Sequence, residues 1–355
     1  MIFPEETLFN IDTVEFSVAN ADVDMKLLNA KTCGEVYCNG EKKSSKTNRR
    51  SVAGYQKRHA VHVRYESMAR ELSVEGSIFA YKLGQNVYTS SNLKNGCLNV
   101  LNDLKKKIGL NAGEEKLSAA WLAGEITLKR VDIAVNLALE SDEQLSCFLT
   151  QVAHQLVGHR GSMRKCEDTI YWSPQQGTKY EIVMYRKHPQ MLAKKSKDQS
   201  DANERYDQLV SHCRGMLRLE IRFRGSLLKE LGFDQASAWD EETARILFEK
   251  YVERLKLLSV LSPVVTKQEL DSVKPKLRAV LALAKQGGDL ETVYSKRTLQ
   301  GYRAEFRALG IDIDAPPTTG KVRKLRTILL SRKRVAKVPT WLAKNGKKVP
   351  RRPKP

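Results

Sequence analysis

At 355 residues with 41% hydrophobic side chains, the chain is long enough for two folded units with real cores. Lysine and arginine outnumber aspartate and glutamate by 61 to 41, and a net charge of +20 implies a polyanionic partner, most simply nucleic acid. No apolar run approaches a bilayer-spanning length and the opening MIFPEETLFN is acidic, so the reading excludes a membrane span and a basic signal sequence and expects a cytoplasmic protein.

In chain order, TVEFSV (13–18) is predicted as the first strand. Cys33 and Cys38 are the one close cysteine pair, with no second pair or histidine to complete a zinc site, so free thiols are expected. VHVRYE (61–66) and ELSVEGS (71–77) read as paired strands. Leu98, Leu101, Leu104 and Ile108 have helical spacing and predict a helix over 91–107. LKRVDIAVNLAL (128–139) is a strand and 141–157 a helix. DTIYWS (168–173) and KYEIVMY (179–185) form a predicted hairpin around PQQG, and GMLRLEIRFRG (215–225) is the last strong strand.

After Gly232 the pattern changes. WDEETARILFEKYVERLKLL places Leu247, Phe248, Tyr251, Val252 and Leu255 on one helical face, with acids in the first turn where the helix dipole favours them. A second helix runs from Pro275 to Lys285, and a third from Ser295 to Gly310. The three fit a helix-turn-helix or a plain bundle equally well. The third presents Lys296, Arg297, Arg303 and Arg307, which are candidates for recognising duplex DNA. PPTTGK (316–321) lacks the features of a phosphate loop, since Ala315 replaces the first glycine and Val322 follows the lysine. From 321 to 355 there are fourteen Lys or Arg, no acid and scattered prolines, which predicts a flexible basic tail acting as an electrostatic anchor. The expected architecture is α+β: an antiparallel-sheet domain over 1–232, a helical domain over 233–320 and the tail over 321–355.

Side chains alternate faces along a strand. Val131, Ile133, Val135 and Leu137 therefore oppose Arg130, Asp132, Ala134 and Asn136. Leu217, Leu219, Ile221 and Phe223 oppose Arg218, Glu220, Arg222 and Arg224. Val61, Val63 and Tyr65 oppose His62, Arg64 and Glu66, and Leu72 and Val74 oppose Ser73 and Glu75. A half-solvated sheet gives this alternation anyway. The choice of polar residues is the added information. Carboxylates and an imidazole suit a hard cation such as Mg²⁺ or Mn²⁺, and arginines suit phosphate. Asp132, Glu220, Glu75 and His62 are the candidate metal ligands. Arg130, Arg218 and Arg222 are candidate DNA contacts.

EIVMYRKH (181–188) ends an apolar strand in a phenol, two cations and an imidazole. Val183, Tyr185 and Lys187 share a face. A lysine near a tyrosine lowers its pKa or neutralises charge built up in a reaction, and His188 is placed to shuttle a proton if the strand ends there. Tyr171 and Tyr180 are the rival phenols, with Tyr180 pointing to the core.

The ordered set LKRVDIAVNLAL, EIVMYRKH and MLRLEIRFRGSLLKELGF resembles the replication initiators of filamentous phages, the gene II/gene X family. GQNVYTSSNL (84–93) is similar to a further segment of them. The resemblance covers roughly residues 55–235. It extends more distantly to plasmid rolling-circle initiators and the HUH-type nickases, although the triplet of two histidines around one hydrophobic residue is absent here. HAVH (59–62) has the wrong spacing. The resemblance implies a metal-dependent, site-specific single-strand DNA endonuclease and strand-joining enzyme. It would act at a phage double-stranded origin through a 5′-phosphotyrosine and release a displaced single strand. Host helicase and polymerase would be partners, in the bacterial cytoplasm. Tyr185 falls on the family's nucleophile, Lys187 on its lysine, His188 on its histidine, and Asp132 and Glu220 on its acids. The alternative is a non-catalytic origin-binding protein or repressor on the same scaffold. A single-strand or RNA-binding protein fits less well, because 7% aromatic residues offer few stacking platforms.

Overall fold

The computed structural model describes residues 9–36, 42–54, 59–111, 115–139, 141–157, 161–166, 168–174, 179–197, 204–260, 267–315 and 323–343. Cys38 and PPTTGK lie outside the described residues.

The strands are β1 (Asn10–Val18), β2 (Thr32–Val36), β3 (Lys42–Thr47), β4 (Arg50–Ala53), β5 (Ala60–Glu66), β6 (Glu71–Gly76), β7 (Thr127–Ala138), β8 (Ser162–Cys166), β9 (Thr169–Ser173), β10 (Tyr180–Arg186) and β11 (Met216–Arg224). They pair in one sheet in the order β2-β3-β5-β6-β1-β7-β11-β10-β9-β8, with β4 on β5. The ladders are antiparallel. Together with the flanking helices this is the expected α+β fold. The hairpin of β9 and β10 and the pair β5–β6 are as predicted.

One face of the sheet is apolar and buried. Val131, Ile133, Leu217, Leu219, Ile221 and Phe223 pack with Leu101 and Leu104 of the helix Leu93–Ile108 and with Phe148 and Val152 of the helix Asp142–Val157. Residues 241–252 join the same core. Tyr251 meets Tyr180 edge-on at 4.7 Å and Phe223 at 4.9 Å. Edge-to-face pairs of this kind add about 0.5–1.5 kcal/mol each beyond area burial. The core therefore does not stop at residue 232, where the sequence pattern places a boundary. A separate cluster begins further on, with Leu277, Leu281, Leu299 and Phe306 of the helices Pro275–Lys285 and Lys296–Ala308.

The basic tail also departs from expectation. Short elements at Leu325–Leu329, Arg332–Arg334 and Thr340–Ala343 are folded onto the body. Beyond Ala134 the edge of β7 no longer faces β1, and Val335 bridges to Leu137 there. The Ala336 amide donates to the Asn136 carbonyl at 2.8 Å, and the Tyr88 hydroxyl donates to the Lys337 carbonyl at 2.9 Å. Val338, Trp341 and Leu342 pack on a small cluster formed by Val87, Tyr88, Met191, Leu209, Val210, Cys213 and Met216. Charge dominates the composition of this stretch, but four apolar residues among the cations decide its placement. Deleting residues 335–355 is expected to lower stability on the order of 3 kcal/mol, from lost hydrogen bonds and re-exposed apolar surface. A thermal melt of the truncated chain checks this. An unchanged midpoint means that the segment is held too weakly to matter.

Candidate active site

The second sheet face carries the polar residues, and the register places them. On β11 and β7, Arg218 lies opposite Asn136, Glu220 opposite Ala134 and Arg222 opposite Asp132. On β10, Tyr185 lies opposite Arg218, Val183 opposite Glu220 and Glu181 opposite Arg222.

The Tyr185 hydroxyl donates to Glu220 Oε1 at 2.7 Å. Arg218 Nε donates to the same oxygen at 3.0 Å, and its Nη1 donates to Asn136 Oδ1 at 3.1 Å. Its Nη2 lies 3.1 Å from Asp12 Oδ2. The other Glu220 oxygen accepts from Arg222 at 3.2 Å, and Arg222 also donates to Glu181 at 2.9 Å. Asp12 Oδ1 accepts from Asn86 and Ser77, each at 3.2 Å, and Asn86 Oδ1 accepts from Lys187 Nζ at 3.1 Å. Arg218 and Lys187 are wholly buried, and Tyr185 is 8% exposed.

Buried charges persist only when paired, and here each cation has an anion or amide partner. Burial and the neighbouring Glu220 charge raise the Tyr185 pKa well above its ordinary value, with Arg218 opposing. The phenol is therefore protonated at neutral pH, and its proton points at a carboxylate. Burial works against the Arg218 charge, but Asp12 and Glu220 more than offset it and hold the guanidinium firmly protonated.

Asp12 and Asn86 are the residues that sequence reasoning missed. Asp12 follows Ile11, which pairs with Ile133, but the next register partner, Val14, faces Val131. That one-residue surplus is a β-bulge, the usual device for re-aiming a side chain beside a site. Asn86 belongs to GQNVYTSSNL and is held in place by the hydrogen bonds of Thr89 to Asn10 and Ile11. The resemblance in that segment was its one visible signal.

Several sequence-predicted residues fall elsewhere. β10 ends at Arg186 and a helix starts at Lys187, so the backbone does turn there. His188, however, lies among Asp142, Arg186 and Arg214, and burial lowers its pKa first, ahead of those cations. It is not part of the tyrosine network. Arg218 is buried under its carboxylates and holds Glu220, so it presents nothing to DNA. Arg303 is taken up by Asp314, at 2.8 Å, and by Glu291. Arg297 and Arg307 are exposed, as a DNA contact requires.

The four proposed metal ligands divide into two pairs. Both Asp132 oxygens accept from Arg130, at 2.8 and 2.6 Å, and both Glu220 oxygens are occupied as described. Burial pushes the Asp132 pKa up to about 7 despite Arg130. His62 lies opposite Glu75 and lines an open cleft of about 440 Å³ with Glu15, Arg49, Arg64 and Lys129. Burial and Arg49 lower the His62 pKa, while Glu75 pairs with Arg49 at 2.9 Å. Among the described residues, no three His, Cys, Asp or Glu side chains group to hold a metal ion. A divalent cation would have to displace guanidinium groups, so the side chains as arranged do not fit one.

Among the described residues no helix is long and apolar enough to cross a membrane. No solved structure matches the chain. The replication-associated (gene II) protein of Enterobacteria phage I2-2 is 24% identical over 192 residues, which are 54% of this chain and 55% of that protein, so the match spans about half of the relative's length. Residues 10–242 match the family described as the N-terminal part of this phage replication-associated protein, a span that holds every strand of the large sheet and the whole tyrosine network, and the chain belongs to that family.

Proposed function

We propose that the chain initiates rolling-circle replication by nicking one strand at a phage origin and later rejoining it, with Tyr185 as nucleophile. The observation that carries this is the Tyr185 hydroxyl aimed at Glu220 inside a buried, arginine-braced network. In the proposed step the Tyr185 oxygen attacks phosphorus and its proton passes to Glu220. The bond to the 3′-oxygen breaks, that oxygen takes up a proton from water, and a 5′-phosphotyrosine remains. A phenoxide is a tolerable leaving group, so the reverse attack by a 3′-hydroxyl reseals the strand. Lys187, whose ammonium lies 5.8 Å from the Tyr185 ring centre, offsets charge on the phosphorane, and Arg218 and Arg222 keep Glu220 in place. Asp12, Asn86 and Asn136 position these cations.

Tyr185 is nearly closed to solvent, so in this scheme the groups packed around its hydroxyl shift to admit the phosphate. Arg297 and Arg307 are the proposed duplex contacts, and origin DNA, the displaced strand and a host helicase and polymerase are the proposed partners. The Mg²⁺ or Mn²⁺ expected from the carboxylates and imidazole of the polar face is assigned no step, and its requirement is a matter for chelation. The test is incubation with supercoiled DNA carrying the cognate origin, with Mg²⁺ or with EDTA. The expected product is relaxed DNA with protein on its 5′ end. Tight origin binding without cleavage under either condition would instead leave a non-catalytic origin-binding protein.

A further inference from the structure

Beside the tyrosine network the polar face continues outward to the sheet edge. Arg164 of β8 lies opposite Tyr171 of β9, Tyr171 opposite Val183 of β10, and Val183 opposite Glu220 of β11. These four residues form one transverse row. Neighbouring strands are about 4.8 Å apart, so Tyr171 stands roughly 10 Å from the backbone of the residue that holds the nucleophile's proton.

Tyr171 is half-buried, while Tyr180 and Trp172 point to the other face and are buried. Two guanidinium groups address its ring, Arg164 at 4.5 Å from the ring centre and Arg222 at 5.8 Å. The two differ in one respect. Arg222 is tied to Glu181 and Glu220, whereas Arg164 is exposed and has no acidic partner among the described residues. A guanidinium laid on an aromatic ring is pre-oriented, and its planar fork matches a phosphate. When it swings to a phosphate, it uncovers a π-face on which any base stacks. Val183, small, apolar and buried, is the one residue of the row between this position and Glu220, and the nearby acids Glu181 and Glu220 both accept hydrogen bonds from Arg222.

We propose that Arg164 and Tyr171 form a nucleotide subsite for the single strand next to the scissile phosphate. Arg164 takes the phosphodiester and Tyr171 stacks its base, without regard to sequence. This rests on the nicking reading above and goes beyond it by giving Tyr171 a binding role and no covalent one.

The test uses the full chain carrying Tyr185→Phe, so that no strand is cut, and a fluorescein-labelled oligo-dT strand of about 20 nucleotides, longer than a typical single-strand site. Anisotropy is followed over a salt series. Adding Arg164→Ala is expected to weaken binding and to lower the slope of log K against log salt by about 0.7, the loss of one phosphate contact on a single strand. Adding Tyr171→Ala should weaken binding about ten-fold, while Tyr171→Phe, which keeps the ring, should bind like the parent. Identical affinity and salt slope for Arg164→Ala would overturn the subsite, as would equal losses for Tyr171→Phe and Tyr171→Ala. The nicking assay with Tyr185 intact is independent of these readings. A chain that binds oligo-dT through Arg164 yet never nicks keeps the subsite and loses the nicking proposal.

Discussion

Replacing Tyr185 with phenylalanine is expected to abolish nicking and the covalent DNA adduct while leaving fold and origin binding intact. The ring is packed at 8% exposure and stays in place. The lost hydroxyl costs one hydrogen bond, about 1 kcal/mol, and Glu220 keeps Arg218 and Arg222 as donors, so no buried charge is orphaned. The chemistry, by contrast, has no substitute. Tyr180 is sealed against Tyr251 on the apolar face. Tyr171 lies on the polar face but accepts no role beyond binding in the scheme above. Denaturing gels of protein–DNA adducts, with mass mapping of any phosphotyrosyl peptide, decide the matter. An adduct that survives in Tyr185→Phe, or a peptide mapped to Tyr171 or Tyr180, removes Tyr185 from the role of nucleophile.

The second large effect is expected at Glu220. Glu220→Gln keeps the shape and an oxygen that accepts from the phenol, but an amide does not take its proton. Loss of a general base lowers rates by roughly 10²–10⁴-fold. Stability should also fall. Arg218 is wholly buried and would retain Asp12 and Asn136 but lose an anion, and the new amide hydrogens would face Arg222. Breaking a buried pair by removing one partner costs about 3–5 kcal/mol, an upper bound here because Asp12 remains. The two effects separate by experiment, since single-turnover nicking is measured at a temperature well below the variant's own melting midpoint. A folded Glu220→Gln chain that nicks at the parent rate would show that the proton goes elsewhere.

Much of this site was legible because strands have a period of two. Arg130 with Asp132, Arg218 with Glu220 and Arg222, and Val183 with Tyr185 were placed on one face by alternation alone, and the ladders put them there, whereas Lys187 lies past the strand end and joins the network from the first turn of a helix. Alternation gives a face and not a partner. The same reading made Asp132 and Glu220 metal ligands, whereas in the fold arginines from the same face reach their oxygens first. Asp12 was invisible because its orientation depends on a bulge defined by two strands more than a hundred residues apart in sequence. Asn86 acts from a segment with no periodicity at all. The C-terminal segment was misjudged because net charge outweighed Val335, Val338, Trp341 and Leu342, which are too few and too irregular to register as a pattern.

That docked segment also sets an order of events during synthesis. Tyr88 and the Lys337 carbonyl that it holds are 249 positions apart. At 5–20 residues per second, the ribosome delivers the second partner roughly 12–50 s after the first. Once β11 has emerged within that interval the sheet can assemble, yet until Val335 follows, β7 beyond Ala134 presents an edge that β1 does not pair, a template for adventitious strand pairing. A chain interrupted before Val335 keeps that edge open permanently, so early termination yields a sticky product rather than a smaller working one.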